Sequence, residues 1–247
     1  MMRLVVFTMI LALCAMAGAT SHCSAAMISE AQEIQIGAQG AARLESQYGV
    51  VNDQAQLARI NRIGQTIVNG SERRNLRFTF RILNTRKINA LALPGGYVYI
   101  TQGLLSMVTD QELAFVMGHE IAHVVKKHAI KQMEKQMYTD TGLATLAALF
   151  NRGKVSEGSK NTMGVLSMVL SNSYSREDEN EADMVACEFM VYQLGYDPRA
   201  GVSFMRKLQK AGGGEMPGFV NAIIGSHPLT EERARAINEK ANSLGYR

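Results

Sequence analysis

Segments with apolar residues at helical spacing alternate with short polar breaks along most of the chain, a pattern that predicts mainly helices. Capping residues mark where these helices begin, since Ser, Thr and Asp side chains satisfy the free N–H groups of a first helical turn. We expect helices over residues 30–47, 53–68, 110–138 and 176–195, another from the Asp197-Pro198 pair onward, and a last one after residue 229.

A small β unit interrupts the helices near the middle of the chain. Residues 76–83 (LRFTFRIL) alternate and are rich in aromatic and branched side chains, which favours a strand. Residues 88–96 (INALALPGG) follow as an extended segment and a tight turn, and Tyr97 to Thr101 then forms a second strand. Mainly helices with one β unit predict an α+β fold, in a single domain from residue 27 to 247.

Two further apolar stretches, residues 143–150 and 163–170, flank the polar segment 151–162. Each is much shorter than the roughly 20 apolar residues that span a bilayer. They either pack as helices or form a mobile flap.

Residues 1–26 have the features of a secretory signal peptide: Arg3, an apolar run over 4–17, and small residues before Ala26, with a second cleavage point after Ala19. The run is short for a membrane span, so cleavage is favoured over an uncleaved anchor. The cysteines in this region lack the preceding small residue that lipid attachment needs. We expect an exported, periplasmic or envelope-associated protein, with peripheral membrane association left open.

The charge pattern does not favour nucleic acid as a partner. The net charge is +4 with a pI near 9.0, and the basic residues are scattered apart from the short pairs Arg73-Arg74 and Lys126-Lys127. A solvated surface is typical of such scatter. After cleavage Cys187 is the single cysteine, so no internal disulfide is possible, and its apolar helical context predicts a core position.

The segment 116–128 (VMGHEIAHVVKKH) carries the candidate chemistry. Residues four apart lie on one face of a helix, so His119 and His123 can direct two ring nitrogens to one ion. Glu120 is turned by about 100 degrees and can reach a water on that ion. Because the neighbouring residues are apolar, the helix is expected to be buried, where an unpaired carboxylate costs several kcal/mol. A divalent cation removes that cost.

A catalytic zinc normally takes three protein ligands and a water. A third histidine six residues beyond His123 is excluded, because Ala129 stands there, and His128 should point about 140 degrees away and lie at the surface. The segment 175–186 (SREDENEADMVA) supplies Glu179 and Asp183, four residues apart on one helix face. They can act as a ligand and as the partner of a ligating imidazole, or merely form an acidic first turn that favours the helix dipole.

The combination of NALALPGGYVYITQGLL, HEIAH, SREDENEAD and HPLTEER, in this order, resembles the HtpX and CAAX prenyl protease family of zinc metallopeptidases, the gluzincins. The resemblance covers most of the chain after residue 29 and is greatest to the soluble, exported branch of the BepA and LoiP type. It implies a mainly helical, zincin-like α+β domain with a small sheet whose edge strand borders the active site.

The same resemblance implies one Zn²⁺ per chain, held by His119, His123 and Glu179, with Glu120 as general base and Asp183 supporting the ligands. It places His227 and Arg233 near the site. His227 is then a catalytic residue or a self-inhibiting fourth ligand, although from the residues alone His227-Pro228 could equally be an ordinary turn before a helix. Arg233 stabilises the oxyanion or simply pairs with Glu231 or Glu232.

An exposed strand edge beside zinc can bind an extended substrate backbone, which makes Ala90, Leu91, Ala92 and Tyr97 candidate substrate-binding residues. The expected activity is that of an exported zinc metalloendopeptidase acting on proteins or peptides, with misfolded envelope proteins as expected substrates. Two alternatives remain: a chaperone-like binder of unfolded envelope proteins with a latched, mostly silent zinc site, and a purely structural zinc site.

Overall fold

The computed structural model describes residues 28–137, 174–213 and 217–246. The predicted signal peptide, residues 1–26, lies outside the described residues, as do the apolar stretches 143–150 and 163–170 and the polar segment between them. Within the described ranges, no helix combines the length and the apolar character that crossing a membrane requires.

Nine helices and four strands make up the described part of the chain. The helices are α1 (Glu30–Tyr48), α2 (Gln54–Asn69), α3 (Gln102–Leu105), α4 (Asp110–Val125), α5 (His128–Met137), α6 (Arg176–Phe189), α7 (Ala200–Gly213), α8 (Pro217–Ser226) and α9 (Glu231–Ser243). A π-helical turn, Met190–Leu194, continues α6 to Gly195. The strands are β1 (Val50–Val51), β2 (Thr79–Leu83), β3 (Ala90–Leu93) and β4 (Tyr97–Thr101). The prediction of a mainly helical α+β fold is confirmed.

The sheet has the order β1-β2-β4-β3, so that β3 is an edge strand. Strands β2 and β4 are parallel, whereas β3 runs antiparallel to β4 with Ala90 opposite Ile100. The Pro-Gly-Gly turn that joins β3 to β4 needs glycine at residue 95, where φ is 77° and the N–H donates to the buried Glu33 carboxylate.

Each face of the sheet packs against different helices. Leu93 and Tyr99 pack with Ala41 and Leu44 of α1, whereas the opposite face belongs to the main core together with α2 and α4. Alternation of side chains along a strand produces this division. The edge strand β3 is thereby held directly beside α4.

Helix α4 runs through the centre of the molecule. The capping box of Thr109 and Glu112 begins it, and every residue from Glu112 to Val125 is buried. Helix α6 crosses α4 at Gly118, where an added Cβ would stand 3.4 Å from Ala186. The prediction that this helix is buried is confirmed, and Cys187 of α6 is fully buried as expected.

The predicted extent of α4, to residue 138, is wrong. The helix ends at Val125, Lys127 adopts a left-handed conformation with φ 58°, and the separate helix α5 begins at His128. The break redirects the chain. His128 is fully buried instead of lying at the surface, because the rotation of 140 degrees held only for an unbroken helix.

Candidate metal centre

The two histidines of α4 meet as their spacing predicts. His119 Nε2 and His123 Nε2 lie 3.0 Å apart on one face of the helix, and both side chains are buried. Burial, opposed by Glu179, holds the pKa of His123 well below the usual value of 6.5. Its ring is therefore neutral, which is the form that binds a metal.

Helix α6 brings Glu179 to this pair across the α4–α6 crossing. Glu179 Oε1 lies 3.5 Å from His123 Nε2, and Oε2 lies 3.6 Å from His119 Nε2. Burial raises the pKa of Glu179, but the surrounding imidazoles outweigh it and lower the pKa far below 4.5. The carboxylate is therefore ionised inside the core.

His227, directly after α8, completes the cluster. Its Nδ1 lies 3.2 Å from His119 Nε2 and 2.8 Å from Glu179 Oε1. One nitrogen or oxygen atom from each of His119, His123, Glu179 and His227 lies within 4.8 Å of the others, and all four residues are buried.

The spacing within this cluster suits a tetrahedral zinc ion. Zinc bonds of about 2.0–2.1 Å put neighbouring ligand atoms of a tetrahedron about 3.3 Å apart. Five distances among the three histidine nitrogens and the two oxygens of Glu179 fall between 2.8 and 3.6 Å. Glu179 Oε2 accepts no hydrogen bond from any residue in the described ranges. An ion pair with Arg233 Nη1 at 2.7 Å lacks hydrogen-bond alignment. The donor set and the buried carboxylate oxygen that accepts no hydrogen bond both suit a divalent cation.

Asp183 holds the ring of His119 from behind. Its Oδ1 accepts a hydrogen bond from His119 Nδ1 at 2.9 Å, so the second nitrogen of that ring keeps its lone pair for the ion. Burial raises the pKa of Asp183, yet hydrogen bonds from Arg233 and His119 lower it further than burial raises it. Asp183 is fully buried and ionised.

Arg233 of α9 supports both carboxylates. Its Nε and Nη2 donate to the two oxygens of Asp183, Nη1 donates to the Pro228 carbonyl, and Nη1 also lies against Glu179. The ion pairs of Arg233 thus involve these two carboxylates of α6 rather than the neighbouring Glu231 or Glu232.

Glu120 lies on the open side of the cluster. Its Oε1 is 3.5 Å from His227 Nε2, and its side chain is 4 % exposed. The rotation of one residue from His119 points this carboxylate away from the ligand atoms and into a cleft of about 220 Å³. The position suits a base that acts beside the ion rather than on it.

The edge strand forms one wall of this cleft. Leu91 and Ala92 line it together with Asn89, whereas Ala90 and Tyr97 do not. Ala90 faces the main core, and Tyr97 packs with the α1 side of the sheet. Of the four predicted substrate-binding residues, the structure brings two to the cleft beside Glu120.

Two residues at the centre were not found from the sequence. His128 Nδ1 lies 2.8 Å from His123 Nδ1, and the Tyr174 ring stacks on the His123 ring with centroids 3.9 Å apart. His128 reaches this position because Lys127 is left-handed, and the sequence carries no signal for that conformation at a lysine. Tyr174 precedes the capping box of α6 by one residue and carried no pattern of its own.

Comparison of the sequence with known proteins finds one matching family and several relatives. The model of peptidase family M48 matches residues 54–241. The beta-barrel assembly-enhancing protease of Escherichia coli K12 is 28 % identical over 225 residues, covering 88 % of this chain and 45 % of that protein. Metalloprotease LoiP of Escherichia coli K12 is 30 % identical over 169 residues, covering 68 % of this chain and 64 % of LoiP.

A third relative aligns over more of its own length. Metalloprotease YcaL of Escherichia coli K12 is 26 % identical over 224 residues, covering 89 % of this chain and 84 % of YcaL. By contrast, the chain spans less than half the length of the beta-barrel assembly-enhancing proteases that it matches.

Proposed function

The chain belongs to peptidase family M48, and from that premise we propose that it is an exported zinc-dependent endopeptidase. The observation that carries the proposal is the buried cluster of His119, His123, Glu179 and His227 with Glu120 beside it. A purely structural zinc site would not need a carboxylate facing a cleft next to the ligands.

His119, His123 and Glu179 are the residues that hold zinc during catalysis. A bound zinc ion supplies a Lewis acid for the scissile carbonyl and lowers the pKa of a nearby water towards 7. Asp183 and Arg233 keep the first histidine and the glutamate in their ligand orientation and ionisation state.

Glu120 is the general base. It accepts the proton of the attacking water and then delivers it to the amine that leaves when the peptide bond breaks. Its buried place at the cleft wall excludes bulk water from the carboxylate. Arg233 stays a predicted oxyanion-stabilising residue, although its nitrogens contact Asp183, Glu179 and Pro228 in this arrangement.

The edge of β3 is the proposed binding site for the substrate backbone. Asn89 accepts a hydrogen bond from the Thr101 N–H through its carbonyl, which fixes the ladder so that the N–H and C=O groups of Ala90 and Ala92 point away from β4; of these two residues, Ala92 lines the cleft. An extended peptide can pair with these groups as an added strand. Asn89 lines the cleft at the start of this edge, and its side-chain oxygen has no hydrogen-bond partner in the described ranges, so we propose that this side chain turns to accept an N–H from the peptide.

His227 gives the site a latched form. Its ring stands where a substrate carbonyl or a water would approach the ion, within 3.2 Å of His119 Nε2. Residues His227 to Thr230 join α8 to α9, and a shift of this short connection would withdraw the ring. His227 is thus proposed as a fourth ligand of a resting state.

Misfolded proteins of the cell envelope are the proposed substrates, and the periplasm is the proposed location. Support comes from the signal-peptide pattern of residues 1–26 and from the relatives, one of which is named for enhancing beta-barrel assembly. The latched histidine also favours a second candidate function, a chaperone-like holder of unfolded proteins whose zinc site is mostly silent.

Metal analysis combined with casein cleavage tests the proposal. The purified protein should contain about one zinc per chain, cleave casein, and lose cleavage when a chelator is added. Replacing Glu120 with Gln should keep the zinc and abolish cleavage, because the amide cannot accept the proton. Cleavage by E120Q at the wild-type rate would remove Glu120 from its role. Suppression of client aggregation by a protein that cleaves nothing would favour the holding function.

A further inference from the structure

A second histidine stands directly behind the metal ligand His123. His128 Nδ1 lies 2.8 Å from His123 Nδ1, with the two rings at 76° to one another. We propose that His128 is a positioning residue whose acceptor nitrogen fixes the tautomer and orientation of His123. The inference rests on the proposed zinc site and concerns how one of its ligands is held.

The hydrogen positions follow from the contacts. As a zinc ligand, His123 must offer the lone pair of Nε2, which faces His119 and Glu179. Its hydrogen is then on Nδ1, and the facing nitrogen of His128 must accept it. A neutral imidazole that accepts through Nδ1 carries its own hydrogen on Nε2.

The surroundings of His128 provide a partner for that second hydrogen. His128 Nε2 lies 3.1 Å from Glu181 Oε2 and 3.6 Å from Asp178 Oδ1, both on the first turns of α6. The hydrogen bonds therefore run in one direction, from His123 through His128 to Glu181. Reversal would place a hydrogen on the nitrogen of His123 that the ion requires.

This arrangement gives each ligating histidine of α4 its own hydrogen-bond acceptor behind the ring. His119 donates directly to a carboxylate, Asp183, whereas His123 reaches the carboxylates of α6 through an intervening imidazole. Helix α6 thus supplies the ligand Glu179 and the acceptors behind both histidines. Partners of this kind tune metal affinity by about 10- to 100-fold.

A pair of substitutions at residue 128 separates the acceptor from simple packing. The H128N variant keeps an acceptor near the position of Nδ1, whereas H128L fills the space without one. Zinc affinity, measured by competition with a coloured chelator, should fall about 10- to 100-fold in H128L and stay close to wild type in H128N. Equal affinity of all three proteins, or equal loss in both variants, would overturn the proposal.

Glu181 offers a test outside the core, in case H128L fails to fold. The E181K variant replaces the acceptor for His128 Nε2 with a donor and should weaken zinc binding. Glu188 is the matched control, since its side chain is also 46 % exposed on α6 and it pairs with Lys240 away from the site. Zinc affinities that agree between E181K and E188K would overturn the proposal.

The outcome also separates this inference from the proposed function. A wild-type protein that binds no zinc would remove both. A wild-type protein that binds zinc and cleaves casein, while H128L binds zinc equally well, would remove only the role of His128.

Discussion

Arg233 donates two parallel hydrogen bonds to Asp183, from Nε to Oδ2 at 2.7 Å and from Nη2 to Oδ1 at 2.8 Å. Asp183 in turn accepts the Nδ1 hydrogen of His119. A residue of the last helix thereby controls the orientation of a ligand 114 residues earlier in the chain. The fork geometry matters because a lysine ammonium cannot donate two parallel bonds to one carboxylate.

The first prediction concerns these two hydrogen bonds from Arg233 to Asp183. The R233K variant should lower zinc affinity by about 10-fold or more, because Asp183 loses its second donor and holds His119 less firmly. The matched control is R235K, since Arg235 is exposed on the same helix. Chelator competition on both variants measures the effect, and equal zinc affinities would contradict it.

Removal of the His227 ring, the proposed fourth ligand, should lower zinc affinity but raise activity. The H227A variant loses a fourth ligand, so its zinc affinity should fall, while the cleft beside Glu120 becomes open to substrate. At saturating zinc, its kcat/KM for a casein-derived peptide should exceed that of the wild type. A fall in kcat under the same conditions would show that His227 takes part in the chemistry instead.

The unpartnered oxygen of Asn89 gives a prediction about substrate binding. The N89A variant removes an acceptor that has no hydrogen-bond partner in the described part of the chain, so thermal stability and zinc affinity should hardly change. Loss of one hydrogen bond to the peptide should lower kcat/KM about 10-fold, equivalent to about 1.4 kcal/mol. Unchanged peptide cleavage would show that Asn89 does not contact the substrate.

The left-handed residue between α4 and α5 is a site of stored strain. A side chain at φ 58° costs about 1–2 kcal/mol, so K127G should raise the free energy of unfolding by about 1 kcal/mol. Lys126 is the control because its φ is −84°, and K126G should destabilise the protein. Urea unfolding of both variants measures the difference, and a loss of stability in K127G would contradict it.

Glu112 should contribute to the pH dependence of stability. Burial raises its pKa, but hydrogen bonds from Lys207, Thr109 and Ser203 outweigh burial and lower the pKa below 4.5. Because the folded pKa is the lower one, Glu112 stabilises the fold above about pH 4.5, and this contribution is lost as pH falls through the folded value.

The E112Q variant tests that contribution. At pH 7 it should be less stable than the wild type by about 1–2 kcal/mol, and the difference should shrink as the pH falls below 4. Thermal unfolding in the presence of a chelator excludes changes in zinc occupancy. A stability difference that is independent of pH would show that the charge of Glu112 is not involved.

Local patterns determined several elements from sequence alone. The capping boxes at Ser29, Thr109 and Ser175 begin helices as predicted, because each is closed by hydrogen bonds within four residues. The position of His119 and His123 on one face of α4 likewise depends only on the helical repeat. For Glu179 and Asp183 the local residues left two interpretations open, and the His-Glu-x-x-His motif elsewhere in the chain favoured the ligand interpretation, which the family resemblance also implied.

Tertiary structure decided the rest of the site. His227 and Arg233 reach the cluster because α9 packs on α6, and the sequence gives no distance between segments so far apart. His128 was misplaced because one left-handed residue at Lys127 turns the chain, and lysine carries no preference that reveals it. Periodicity determines which residues share a face of one helix, whereas packing between helices and the turns that end them determines which faces meet.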